Sequence, residues 1–206
     1  TIAKQVARRE NFIYIDTGAM YRAMSLFMLR NGIPLNDAER IGRECSKAQI
    51  RIAYEEGEQV VYLNGEQVGV YLREEKVGNA ASAVSAVPRV RECLVQLQRK
   101  LAESADVVMD GRDIGTVVLP DADLKVFLTA SSRVRAERRC RELQEKGLEA
   151  NLETIQRDIE ERDDRDQTRK TSPLRQAEDA VVIDSSFMTA EEVVNTILDL
   201  VKSRRK

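Results

Sequence analysis

Four segments of this sequence carry polar side chains in arrangements that suit anion chemistry. In DTGAMYR (16–22) an apolar run ends at Asp16, Thr17 is placed to cap the helix that follows, and Arg22 lies further along that helix. Amide groups at a helix start, joined by a guanidinium, make a site for phosphate, although an ordinary cap with a surface arginine explains the segment alone equally well. In DGRDIGTVVLPDA (110–122) the adjacent charges Arg112 and Asp113 lie between glycines that let a ligand approach the backbone. A guanidinium there takes a phosphate bidentately, and a carboxylate accepts from an amino group; the plainer reading is an ion pair in a turn. In ERDDRDQTRKTSPL (161–174), Arg162, Arg165 and Arg169 are spaced to share a helix face, with Glu161, Asp163, Asp164, Asp166 and Lys170 between and around them. Such a run is ordinarily a solvated face, but converging guanidiniums also suit a flap that closes on polyphosphate and opens again. In NAASAVSAVPRVRE (79–92), Ser82 lies among small residues and Arg91 follows a proline-initiated helix start, a possible wall for a flat ligand that helix packing explains as well.

These residues need a scaffold, and the hydrophobic pattern supplies one. Four short continuous apolar runs, FIYID (12–16), VVM (107–109), LKVFL (124–128) and AVVID (180–184), read as buried strands of a parallel sheet. Helical patterns lie over 19–30, 37–49, 73–84, 89–104, 132–146, 151–163 and 190–204. Alternation of this kind predicts an α/β fold, a doubly wound parallel sheet flanked by helices, whose ligands sit beyond the carboxyl ends of the strands. Those ends carry Asp16-Thr17-Gly18, Asp110-Gly111-Arg112-Asp113 and Asp184-Ser185, so polar groups gather where a ligand belongs. Residues 51–71 break the pattern with short strands joined at Glu56-Gly57 and Asn64-Gly65, predicting a small antiparallel insert apart from the main sheet. The basic set Arg133, Arg135, Arg138, Arg139 and Arg141 falls on the helix after LKVFL, and the tail KSRRK (202–206) reads as a solvated helix end.

Composition narrows the chemistry. The 206 residues are 42% hydrophobic and 33% charged, and 33 Lys+Arg against 35 Asp+Glu leave a formal charge of −2, so no basic field invites nucleic acid. There is no histidine, which removes Ser-His-Asp and Cys-His catalysis and nearly every zinc site. What remains, Arg, Lys, Asp and Ser/Thr, suits phosphoryl transfer, where positioning and charge neutralisation do most of the catalysis. The cysteines Cys45, Cys93 and Cys140 form no CxxC, fit a reducing compartment and read as buried small hydrophobes without a role. No apolar run approaches the ~20 residues of a membrane span, so a cytoplasmic protein is expected.

Taken together, DTGAMYR, the NAAS…PRVRE stretch, DGRDIGTVV.PDA, the LQEKG turn (143–147) and ERDDRD..R resemble the bacterial cytidylate kinases, P-loop nucleoside monophosphate kinases, in order and spacing over essentially the whole chain. The resemblance implies a P-loop kinase fold with a helical lid at about 147–170, residues 1–50 and 73–206 as the core domain, and 51–72 as a β insert of the monophosphate-binding region. It implies the reaction ATP plus CMP or dCMP giving ADP plus CDP or dCDP, with Mg²⁺, in pyrimidine nucleotide metabolism. Carried over residue by residue, Thr17, Arg22 and Arg112 hold the acceptor phosphate; Ser82, Arg91 and Asp113 read the cytosine edge; Arg162 and Asp166 contact the pentose. Arg112, Arg162, Arg165 and Arg169 then supply the charge at the transferring phosphoryl group. No residue is assigned to a metal. The physics agrees for the base: cytosine offers an amino donor to Asp113 and acceptors to Arg91, whereas uracil turns an acceptor toward the carboxylate.

The family's GxxxxGK[ST] loop and the strand before it are not among these residues. Thr1 opens inside a helical pattern, with Ile2, Val6 and Arg9 at helical spacing, and aligns just after that loop. An additional N-terminal segment bearing the loop, and with it the donor-site residues, is therefore expected. Two rivals remain: a related kinase acting on UMP or another small acceptor, and a nucleotide-binding module without turnover. Nucleic-acid binding is a distant third. A monomer is the expected state.

Overall fold

The computed structural model describes residues 2–204; Thr1 and the tail residues Arg205 and Lys206 lie outside the described residues. The chain divides into two compact units, one of residues 3–114 and one from Gly115 onward.

In the first unit, α1 (Ile2–Glu10) leads into β1 (Ile13–Asp16), which pairs in parallel with β5 (Val107–Asp110), in register from Ile13 opposite Val107 to Asp16 opposite Asp110. Both strands therefore end on an aspartate at the same edge. Between them run α2 (Thr17–Arg30), α3 (Ala38–Glu44) with a 3-10 turn at Cys45–Lys47, α4 (Glu75–Ser85) and α5 (Pro88–Ala102). Helix α2 is apolar almost all round and buries Met20, Ala23, Met24, Phe27 and Met28 in the core with Ile15, Val84, Val90 and Leu94. A helix buried on most faces is held by packing rather than by propensity, each large apolar side chain contributing roughly 1.5–3 kcal/mol.

The insert is a separate antiparallel sheet, β2 (Ile50–Glu55), β3 (Glu58–Leu63) and β4 (Glu66–Gln67), in the order β2-β3-β4. Both of its turns place two residues at positive φ, Glu56 and Gly57 at 52° and 77°, Asn64 and Gly65 at 50° and 86°. That is the backbone a two-residue hairpin loop needs to match strand twist, and it is why the dipeptides marked the turns in the sequence.

In the second unit β6 (Val126–Thr129) pairs in parallel with β7 (Val181–Asp184), accompanied by α6 (Ser132–Glu145), α7 (Leu152–Thr168) and α8 (Ala190–Arg204). Helices α6 and α7 pack together, tied by Arg135 to Asp163 at 2.5 Å and by the Ser132 hydroxyl donating to Glu160 at 2.7 Å. Helix α6 ends at Glu145 with Lys146 as its C-cap; Gly147 follows at φ 71°, and Leu148 N–H reaches back to Leu143 C=O at 3.0 Å, a left-handed stop for which glycine is suited.

The α/β class and the parallel pairing match the sequence reading; among the described residues each unit carries one two-stranded parallel sheet, β1-β5 and β6-β7. Helix boundaries differ in places. The pattern at 37–49 ends as an α-helix at Glu44 and tightens into the 3-10 turn, and the one at 151–163 continues to Thr168 because the charged run ERDDRD is itself helical. No helix among the described residues is long and apolar enough to cross a membrane.

Candidate active site

The β1–α2 junction brings together the first group of predicted residues. Asp16, extended at φ −82° and ψ 96°, is the N-cap of α2: its carboxylate accepts from Ala19 N–H at 2.9 Å and pairs with Arg22 Nη2 at 3.0 Å. The expectation that Thr17 caps this helix is corrected. Thr17 is the first helical residue, 3% exposed, and its hydroxyl donates to Asp110 C=O at 2.7 Å, fastening α2 to the end of β5. Arg22 is one-third exposed, with its guanidinium over Gly18, where an added Cβ would meet Arg22 Nη1 at 3.3 Å. The Asp16 backbone is held as well: its N–H donates to Gln59 Oε1 at 2.8 Å, and Gln59 Nε2 donates to its C=O at 3.2 Å.

Gly111 is dictated by this junction. A Cβ there would stand 2.6 Å from Thr17 Oγ1 and 2.7 Å from Ile114 Cδ1, closer than real atoms approach. The turn after β5 thus passes tightly over Thr17, leaves Arg112 exposed and buries Asp113 at 4% exposure.

Asp113 meets Arg91. Helix α5 starts on Pro88, and Arg91 lies on its inward stripe with Val90, Leu94, Val95 and Gln98. Arg91 Nη2 donates to Asp113 Oδ2 at 2.5 Å, with 4% of each side chain exposed, and Nη1 donates to Ser85 C=O at 3.0 Å. The guanidinium thus bridges the carboxylate and the electronegative carboxyl end of α4, while the Tyr21 ring lies beneath it at 5.1 Å. Among the described residues, Arg91 Nε is buried without a hydrogen-bond partner. Ser82 is half-buried one turn before Ser85 on α4, and its C=O accepts from the Ser85 hydroxyl at 3.1 Å. The first unit therefore joins Arg91 to Asp113, Arg22 to Asp16 and Thr17 to the Asp110 C=O.

The second unit carries the remaining candidates on α7. Arg162 and Arg165 are exposed, Arg165 standing 3.8 Å from Glu161. Asp166 is 7% exposed, its C=O accepts from Leu174 N–H at 2.7 Å, and its carboxylate pairs with Arg169 Nη1 at 3.3 Å. The single helix face expected for the three arginines holds for Arg162 and Arg165 only. Helix α7 ends at Thr168, and Arg169 is its C-cap, extended at ψ 141°, with Nε donating to Ser172 C=O at 2.7 Å. The structure thus brings Arg169 to Asp166, while Arg162 and Arg165 stand at exposed positions of α7.

In the first unit, two residues that the sequence reading left without a role lie in the paired strands β1 and β5. Asp110 is the register partner of Asp16, and Tyr14 donates to its carboxylate at 3.2 and 3.3 Å. Burial, reinforced by the neighbouring Asp16, raises the Asp110 pKa; burial, then Asp110 itself, raises that of Tyr14. No group of three or more Cys, Asp or Glu among the described residues forms a metal cage. Asp110 is a hard oxygen donor whose crowding against Asp16 a divalent cation would relieve, and Mg²⁺ commonly takes one or two carboxylates beside substrate phosphates.

Comparison with known proteins places the chain. Residues 1–203 match the family model described as cytidylate kinase. The cytidylate kinase of Caldanaerobacter subterraneus subsp. tengcongensis is 48% identical over 206 residues, covering 100% of this chain and 90% of that protein. That of Enterococcus faecalis is 47% identical over 204 residues, 99% of this chain and 90% of the relative, and that of Lactobacillus gasseri 45% over 206 residues, 100% and 90%. A match running the full described length, with the buried Arg91–Asp113 pair and the Asp16–Arg22 junction inside it, leaves one assignment: the chain belongs to the cytidylate kinase family.

Proposed function

We propose that this protein transfers the terminal phosphoryl group of ATP to CMP, and to dCMP, giving ADP and CDP or dCDP for pyrimidine nucleotide metabolism. The observation that carries this reading is the Arg91–Asp113 pair, a donor and an acceptor preset in a buried place, with Arg91 Nε left over. Cytosine presents the complementary edge, an amino group for the carboxylate and ring acceptors for the guanidinium. Ser82 completes the wall at the base.

Arg22 and Arg112 hold the acceptor phosphate, Arg22 exchanging Asp16 for it, and Thr17 turns its hydroxyl from Asp110 C=O to a phosphate oxygen. Arg162 and Asp166 contact the pentose, a contact that favours the 2′-hydroxyl over its absence. Arg112, Arg162, Arg165 and Arg169 supply positive charge for the transferring group, which stabilises a transition state that spreads negative charge over the phosphoryl oxygens. Residues 147–170 act as the lid that excludes water, so that CMP and not water receives the phosphoryl group. Residues 1–50 with 73–206 serve as the core domain and 51–72 as the monophosphate-binding insert. Mg²⁺, when bound with ATP, neutralises phosphate charge, and Asp110 would hold it. The protein works as a cytoplasmic monomer, without nucleic-acid or membrane partners.

The test is a panel of CMP, dCMP, UMP, AMP and GMP with ATP and Mg²⁺, the products separated by chromatography. CDP and dCDP forming well ahead of the other diphosphates supports the reading. ADP formation with UMP at an equal rate points to the broader kinase, and nucleotide binding without ADP formation to a binding module.

A further inference from the structure

We propose that Gln59, on the insert, is a positioning residue for the acceptor phosphate, acting through the backbone of Asp16. The proposal rests on the kinase reading above. Strand β1 uses one edge to pair with β5, and the Asp16 N–H and C=O are met instead by one side chain, Gln59, at 2.8 and 3.2 Å. A primary amide is the side chain that can do this, because it offers one acceptor and one donor in a plane, as a peptide group does. The clamp thus stands where a further strand would otherwise continue the sheet, and it satisfies two backbone groups that would be costly to bury unpaired.

What it holds is the residue on which the phosphate site turns. Asp16 caps α2, carries the ion pair to Arg22 and is followed by Thr17. A rotation of the Asp16 peptide therefore moves the helix start, the aim of Arg22 and the Thr17 hydroxyl together. Glu58, the neighbour of Gln59 on β3, is fastened separately to Lys4 and, at 3.5 Å, to Arg8 of α1. Adjacent positions of β3 are thus anchored separately, and of these two it is Gln59 that touches the β1–α2 junction. That adjacency gives the experiment its control.

Gln59→Leu, Gln59→Glu and Glu58→Gln are compared with the unaltered protein by KM for CMP, KM for ATP, kcat and thermal melting. For Gln59→Leu, loss of both hydrogen bonds raises KM for CMP by about tenfold, with KM for ATP changed less than about twofold. Gln59→Glu keeps an acceptor for Asp16 N–H but no donor for its C=O, and falls between. Glu58→Gln loses an exposed ion pair, lowers melting at most slightly and leaves KM for CMP unchanged. KM for CMP unaltered in Gln59→Leu, or raised equally in Glu58→Gln, overturns the assignment to Gln59 while the kinase reading stands. Absence of CMP turnover in the unaltered protein overturns both.

Discussion

Arg91 and Asp113 are 22 residues apart in sequence, yet their side chains meet at 2.5 Å with 4% of each exposed to solvent. A buried pair of this kind contributes little net stability, because desolvation offsets most of the attraction, but removing one partner strands a charge and costs about 3–5 kcal/mol. In the proposed reading, the pair meets a ligand that carries the complementary edge and discriminates against one that does not.

Asp113→Ala therefore has two expected effects. It lowers the ratio of kcat/KM for CMP over UMP by about tenfold or more, since the carboxylate is the group that uracil O4 would oppose. It also lowers the melting temperature, because Arg91 is left buried and unpaired. Replacing both residues by leucine recovers much of that stability without recovering discrimination. An unchanged CMP/UMP ratio in the single variant would rule out Asp113 as the reader of the base.

How much of this was legible beforehand differs by residue. The strand ends at Asp16 and Asp110 were readable, since apolar runs stop there, and so were the insert's turns at Glu56-Gly57 and Asn64-Gly65. The glycine before Arg112 was readable as a place of close approach, and Thr17 Oγ1 is what approaches. The partners of Arg91 were not readable, because pairing over 22 residues depends on how α5 and the turn after β5 meet. Gln59 was invisible for the same reason: it reads as one of two polar residues opening a strand until the fold sets it against β1. Arg169 was misplaced because a three-and-four spacing looks the same whether or not the last residue belongs to the helix.

Gly111→Ala is expected to lose about 1–3 kcal/mol of stability, since its Cβ would overlap Thr17 Oγ1 and Ile114, and to weaken CMP binding by displacing the phosphate end of the site. Gly147→Ala provides the contrast. Nothing lies within 4 Å of its Cβ, so only the left-handed backbone (φ 71°) is strained, at about 1 kcal/mol, and CMP affinity is retained. Chemical denaturation and calorimetric CMP titration separate the two.

Arg165→Ala and Arg169→Ala are expected to part company. Arg165 is exposed with a 3.8 Å contact to Glu161, so its loss leaves stability within about 0.5 kcal/mol while lowering kcat. Arg169 joins Asp166 to Ser172 at the end of α7, so its loss frees the segment after the helix and raises protease cleavage there as well as lowering kcat. Equal proteolysis of the two variants would contradict the distinction.

The Cys45 thiol is predicted to be chemically quiet. Burial first, then the neighbouring Cys93, pushes its pKa up to about 11. At pH 8 the thiolate is then about one part in a thousand, against roughly a quarter for an ordinary thiol. A disulfide reagent at pH 8 should label Cys45 far more slowly in the native protein than after unfolding, with native labelling accelerating as pH rises toward 10. Prompt native labelling, flat with pH, would contradict this placement.

The central claim, a kinase whose buried Arg91–Asp113 pair selects cytosine, is tested most directly by kcat/KM for CMP and for UMP with ATP and Mg²⁺ as donor. The account predicts measurable transfer to CMP and a preference for CMP over UMP of at least about tenfold. Equal efficiency with both nucleotides would contradict the assignment of that pair, and no transfer to either would contradict the kinase reading itself.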